Sequence, residues 1–195
     1  MPAAGGRRRA ARGGVSMKAR LRVSLPSDRL KLGTVELLKS ADPASGFPWQ
    51  QVIPTIKCYG KADNLAAAGA GNPKRDPLRL YGDFPLGEYS CRLVLVAPPD
   101  KLGDTFKREY GPYGFIELTA VSGDALTAAK NGRYGLRVHS GALTTAGTLR
   151  PTHGCLRLSD ADFLALRQAI EDLGTLEVFE LVADVLPEVP LPLAS

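Results

Sequence analysis

The most constraining feature of this chain is a period-two alternation of apolar and polar residues that recurs from end to end and gives way only once to a clear helical period. KARLRVSL sets Lys and Arg outward against Ala, Leu and Val inward, the pattern of a half-buried strand. LKLGTVELL predicts a second strand after a turn at Pro26–Asp28. WQQVIPTIKCYG predicts a third, which Pro54 confines to an edge or a bulge. GEYSCRLVLVA, YGFIELTAV, YGLRVHS and TLEVFELVADV continue the series. The exception follows Ser159: Phe163, Leu166, Ile170 and Leu173 recur at helical spacing, Asp162 stands three residues after the expected N-cap, and Gly174 occupies a C-cap position. A weaker helix is expected over 122–131, SGDALTAAKN, capped by Ser122 or Asp124. The stretch NLAAAGAGNPKRDPLRLYGDFPLG reads as a short helical turn followed by a long ordered loop. Nothing repeats internally, and the Gly/Pro density points to a mainly β sandwich or barrel with one main helix.

At 195 residues and 44% hydrophobic the chain suits one domain with a core of its own. No apolar run approaches the roughly 18 residues of a membrane-spanning helix. The expected organisation is a basic disordered arm over 1–17, one domain over 18–186 and a Pro-rich tail over 187–195. The net charge of +5 is unevenly placed. Residues 1–22 hold seven basic side chains and no acidic one, leaving 18 basic against 20 acidic in the remainder. A near-neutral remainder gives no reason to expect a specific nucleic-acid partner, although an arginine-rich arm can hold phosphates without sequence preference. RRRAARGGVSMKARLRV also lacks the apolar run of a secretory signal, and Met17 is an alternative start.

Three cysteines, Cys58, Cys91 and Cys155, make no CxxC pair and no zinc spacing. A Cys58–Cys91 disulfide is arithmetically open, as is a role for all three as small buried hydrophobes. Chemistry gathers around Cys155. The chain has two histidines, His139 and His153, both within sixteen positions of it, in Gly/Thr-rich sequence. An imidazole that takes a thiol proton makes cysteine a nucleophile, and His139 at a strand end is a rigid base. Gly154 lets backbone N–H groups approach a substrate closely, as an oxyanion hole requires.

The stretch VHSGALTTAGTLRPTHGCLRLSDADFLAL resembles the active-site signature of L,D-transpeptidases, the YkuD-like catalytic domain. The matching positions are His139-Ser140, Thr152-His153-Gly154-Cys155, Leu156 and Arg157; Pro85, Gly87 and Tyr89 resemble the family's strand entry. The resemblance spans roughly 80–182, with a 12-residue spacer between His139 and Thr152 that is shorter than usual in the family. It implies a YkuD-like, mainly β fold and a cysteine acyltransferase without a cofactor or metal, acting on peptidoglycan stem peptides, with a tetrapeptide donor and an amine acceptor. In that scheme Cys155 attacks the L-centre to D-centre bond and forms a thioester. His139 is base and then acid, with the Ser140 carbonyl setting its tautomer. Backbone N–H groups of Gly154 and Cys155, together with His153, form the oxyanion hole. Arg157, Arg150 and Thr152 are the substrate-binding candidates. Water in place of the amine makes an L,D-carboxypeptidase or amidase of the same site. The family works in the periplasm or otherwise outside the cytoplasm; without a visible signal, cytoplasmic action or effector-type delivery stays open. A metal-binding module built on His139, His153 and Cys155 is the alternative from another class.

Overall fold

The computed structural model describes residues 17–41, 48–174 and 179–187. Strand β1, Met17–Leu25, buries Ala19, Leu21, Val23 and Leu25 on one face. Of the basic residues that give the first 22 positions their charge, Lys18, Arg20 and Arg22 belong to this strand. Arg20 pairs with Asp184 at 3.1 Å and Arg22 with Glu36 at 3.6 Å. Arg20 also lies over the Trp49 ring, 4.6 Å from its centroid. Met17, expected to end the arm, instead starts the sheet, in register with Phe179. The expected arm over 1–16 lies outside the described residues.

β2, Gly33–Ser40, returns antiparallel to β1. It starts at Gly33, where a Cβ would lie 2.4 Å from the Ser24 carbonyl oxygen, rather than further upstream. The segment broken by Pro54 forms two short pieces, β3 (Gln50–Gln51) and β4 (Ile56–Cys58), each pairing with β2. β5, Gly87–Val94, and β6, Phe115–Ala120, make an antiparallel pair, and β6 continues to β7, Arg137–His139, which ends at His139 as expected but starts later than Tyr134. β8 is Leu156–Arg157, parallel to β7. β9, Phe179–Pro187, lies between β1 and β5, parallel to the first and antiparallel to the second. Pro187, assigned to the tail, is thus the last strand residue, and 188–195 fall outside the described residues.

The path β3-β2-β1-β9-β5-β6-β7-β8, with β4 alongside β2, is a single sheet. It curls far enough for its last strand to meet the start of the path. Tyr59, directly after β4, bridges antiparallel to Arg157 of β8, and Ala62 bridges parallel to Thr152. The sandwich-or-barrel alternative therefore resolves in favour of a curled, nearly closed sheet; the fold is mainly β.

Helix α1, Asn64–Gly69, is capped by Asp63, whose Oδ1 accepts from Leu65 and Ala66 N–H at 3.0 and 2.9 Å. α2, Asp104–Tyr110, was not legible from the sequence. α3, Gly123–Lys130, follows Ser122, whose side chain makes no cap bond. α4, Asp160–Asp172, buries Phe163, Leu166, Ala169 and Ile170, while Ser159 Oγ accepts from the Asp162 N–H at 3.1 Å. Removing Phe163, Leu166 and Ile170 from water contributes about 2–3 kcal/mol each, which docks α4 and fixes the chain that leaves Cys155. Among the described residues no helix is long and apolar enough to cross a membrane, and Cys58 and Cys91 are both free thiols.

Candidate active site

Two short parallel strands create the site. In the β7–β8 register Val138 stands beside Leu156 and His139 beside Arg157, so one step back Cys155 stands beside Arg137. Side chains alternate across a sheet. Val138 and Leu156 therefore enter the core, at 1% and 0% exposure, while Arg137, His139, Cys155 and Arg157 share the opposite face. On that face lies a cavity of about 320 Å³, lined by His139, Cys155, Arg157, Thr152, His153 and Arg150 from the sequence-derived set. Asp63, Arg108, Glu109, Tyr110 and Pro151 complete the wall.

His139 is buried, and its Nδ1 lies 2.7 Å from the Ser140 carbonyl oxygen. A carbonyl only accepts, so Nδ1 carries the proton and the lone pair falls on Nε2. Burial lowers the imidazole pKa to about 4, with the Arg157 and Arg137 cations pushing the same way and the Ser140 bond opposing. The ring is thus neutral near pH 7, able to take a proton. Tyr110, at the end of α2, packs against it with centroids 5.1 Å apart. Arg137 lies over the rings of Phe115 and Tyr110, at 4.2 and 5.1 Å from their centroids.

Cys155 is half-buried, and its thiol points toward the Gly135 carbonyl at 3.9 Å. Burial raises its pKa; the Arg137 backbone N–H and the cations of Arg137, Arg133 and Arg157 oppose the rise. Near pH 7 both groups therefore rest uncharged, a thiol and a neutral imidazole lining one cavity.

The turn before β8 is held by its own atoms. Thr152 Oγ1 donates to the Cys155 carbonyl at 2.9 Å and accepts the Gly154 N–H at 3.0 Å. Gly154, whose N–H was expected in an oxyanion hole, has thus spent that N–H inside the turn. Its contribution is conformational: φ is +115°, and a Cβ would sit 2.4 Å from Arg133 Nη2 and 2.7 Å from the Gly82 carbonyl oxygen. Thr152, expected to bind substrate, has its hydroxyl committed in the same way. Arg157 is largely committed too, donating to Ala142 O at 3.2 Å and Glu109 O at 3.0 Å, with Nε buried and unbonded. Arg150 and Arg108 are the exposed guanidinium groups at the cavity, Arg108 lying 3.7 Å from the Glu109 carboxylate. His153 is exposed and meets the Tyr81 ring edge to face, with ring centroids 5.2 Å apart. Ser140 and Gly154 lie behind the lining rather than in it. Among the described residues no group of three or more His, Cys, Asp or Glu is disposed to hold a metal ion.

Sequence reasoning missed Tyr110, Glu109 and Arg108 because they belong to α2, and Asp63 because it is remote in sequence. Arg137 was findable: Arg-Val-His and Cys-Leu-Arg have the same alternation, which pairs each cation with a reactive side chain.

Fold and site together define a mainly β domain with a cysteine–histidine cavity at the seam of a curled sheet. The fold is similar to that in the crystal structure of the helical cell shape determining protein Pgp2 from Campylobacter jejuni, with a TM-score of 0.50 and 14% identity. The match covers 93% of this chain and 54% of the other, so the chain spans about half the length of that protein. No family model matches the sequence, and no curated protein matches it.

Proposed function

We propose that the protein is a cysteine acyltransferase of the L,D-transpeptidase kind, working on peptidoglycan stem peptides. The observation that carries this reading is the bond from His139 Nδ1–H to Ser140 O, which leaves a neutral Nε2 lone pair in the cavity that Cys155 lines. As Sγ attacks the substrate carbonyl carbon, its proton passes to Nε2. The tetrahedral adduct collapses, the peptide C–N bond breaks, and the imidazolium returns the proton to the departing D-amino acid. An amine from a second stem then takes the acyl group from the thioester, and water doing so makes the product of a carboxypeptidase. Arg150 supplies the cation for a substrate carboxylate. Acting on such a substrate, the enzyme would work outside the cytoplasm, and a part in cell shape, as the name of Pgp2 states for that protein, fits the same reading.

The test is incubation with purified stem tetrapeptides and separation of the products. Cross-linked dimers or trimmed tripeptides, both lost in Cys155→Ala, are expected. Dimers identify the transpeptidase and tripeptides the carboxypeptidase; neither, from a folded wild-type chain, rejects the reading. A carbapenem, which acylates many members of the family this sequence resembles, gives a second readout as a mass adduct on Cys155.

A further inference from the structure

Arg133 lies between α3 and β7, is 3% exposed, and its guanidinium bonds only backbone carbonyls. Nη1 donates to Asp83 O at 2.8 Å and to Pro77 O; Nη2 donates to Gly82 O at 2.7 Å and to Gly154 O at 3.2 Å. Among the described residues no carboxylate makes an ion pair with it, although removing a guanidinium from water is expensive without one. One fork thus joins the loop at 77–83 to the peptide just before the nucleophile. That loop is itself pinned. Asn72 donates to Asp76 O and Leu80 O, and Asp83 accepts from Ala62 N–H and Arg75.

In a trans peptide the carbonyl and the next N–H point in opposite directions, and no peptide of the described residues is cis. Arg133 holds the Gly154 carbonyl, so the Cys155 N–H points away from Arg133. Outside the strand ladders no backbone acceptor among the described residues takes that N–H. The Gly154 N–H, by contrast, is spent on Thr152.

We propose that Arg133 is a positioning residue whose clamp on the Gly154 carbonyl aims the Cys155 N–H at the oxygen of a tetrahedral adduct on Sγ. This rests on the acyl-transfer reading above, but concerns any carbonyl attacked by Cys155. The Arg133 charge also lies close enough to favour the thiolate. Charge alone would assist every reaction of Cys155 equally, whereas an aimed N–H assists only those that place negative charge on an oxygen.

Two probes separate these effects. Iodoacetamide alkylates a thiol without forming an oxyanion. p-Nitrophenyl acetate acylates it: the S–C bond forms, p-nitrophenolate departs with the electron pair of the broken C–O bond, and the thiol proton leaves through His139. Rates at Cys155 are read by mass spectrometry in wild type, Arg133→Gln and Arg133→Lys, each checked for fold by circular dichroism. The acylation-to-alkylation ratio is expected to fall about tenfold in Arg133→Gln. Arg133→Lys restores the charge without the fork and is expected to recover part of that loss; if Arg133→Gln does not fold, a reduced ratio in Arg133→Lys carries the test. A ratio unchanged in the folded variants overturns the proposal, as does a wild type that alkylates but does not acylate. Failure of the functional reading is distinguishable: stem peptides are then untouched while the ratio still falls.

Discussion

Tyr59 and Arg157 exchange both of their backbone hydrogen bonds, Tyr59 N–H to Arg157 O at 2.9 Å and Arg157 N–H to Tyr59 O at 3.0 Å. This bridge, far removed in sequence, joins the two ends of the curled sheet two residues beyond Cys155. The Arg157 side chain extends the seam, binding Ala142 O and Glu109 O and so tying the loop after β7 and the end of α2 to the same strand. The residue singled out as a substrate anchor therefore builds the cavity wall. Arg157→Ala leaves two carbonyls without their donors, and a loss of about 2–4 kcal/mol is expected. A thermal melt checks it; an unchanged midpoint would show that the seam does not depend on this side chain.

The buried His139 makes stability depend on pH. Its folded pKa of about 4 lies below the unfolded value near 6.5. Between those values the unfolded chain binds the extra proton, so stability rises with pH through this window and is fully present above it. On acidification from pH 7 toward 4 the His139 contribution is lost, on the order of 3 kcal/mol in all. Melting midpoints of wild type and His139→Gln across pH 4–7 should converge at the acid end. A slope identical in the two proteins would remove His139 as the cause.

Gly154→Ala is expected to be among the most damaging small substitutions. It combines a φ of +115° with a Cβ 2.4 Å from Arg133 Nη2 and 2.7 Å from Gly82 O, a backbone atom that cannot swing aside. A destabilisation of about 1–3 kcal/mol is expected from the backbone conformation alone. Alkylation of Cys155 should slow as the turn shifts. Wild-type melting and wild-type alkylation together would contradict this account of the turn.

The three thiols should react in a fixed order. Cys58 is fully buried and its pKa is pushed up to about 12 by desolvation. Cys91 is raised further by its burial, with Asp184 adding to the effect. Cys155 lines an open cavity beside three guanidinium groups that oppose the rise. Peptide mapping after brief iodoacetamide treatment should find label first on Cys155. Equal labelling of Cys58 would argue against a distinct environment for Cys155.

Arg150 offers an exposed cation at the same cavity. If it meets a substrate carboxylate that does not change during reaction, Arg150→Ala raises KM and leaves kcat nearly constant. Steady-state kinetics on a stem peptide decide this, with an equal fall in kcat as the contrary result.

The strands and α4 were legible because their patterns are local. Ala19, Leu21 and Val23 alternate with Lys18, Arg20 and Arg22, and Ser159 precedes Asp162 at capping distance. The cluster of His139, His153 and Cys155 was legible for the same reason, lying within seventeen consecutive residues. α2 was not: its seven residues include none that is buried and no side-chain cap, too short a helix to announce itself by period or propensity. What only the tertiary structure decided is which donors remain free. Thr152 and Gly154 bond each other, Arg157 is spent on two carbonyls, and Arg133, an unremarked arginine in the sequence, grips the turn before Cys155. A side chain's type sets which bonds it can make; where the curled sheet brings distant carbonyls within reach decides which bonds it does make, and so which groups are left for a substrate.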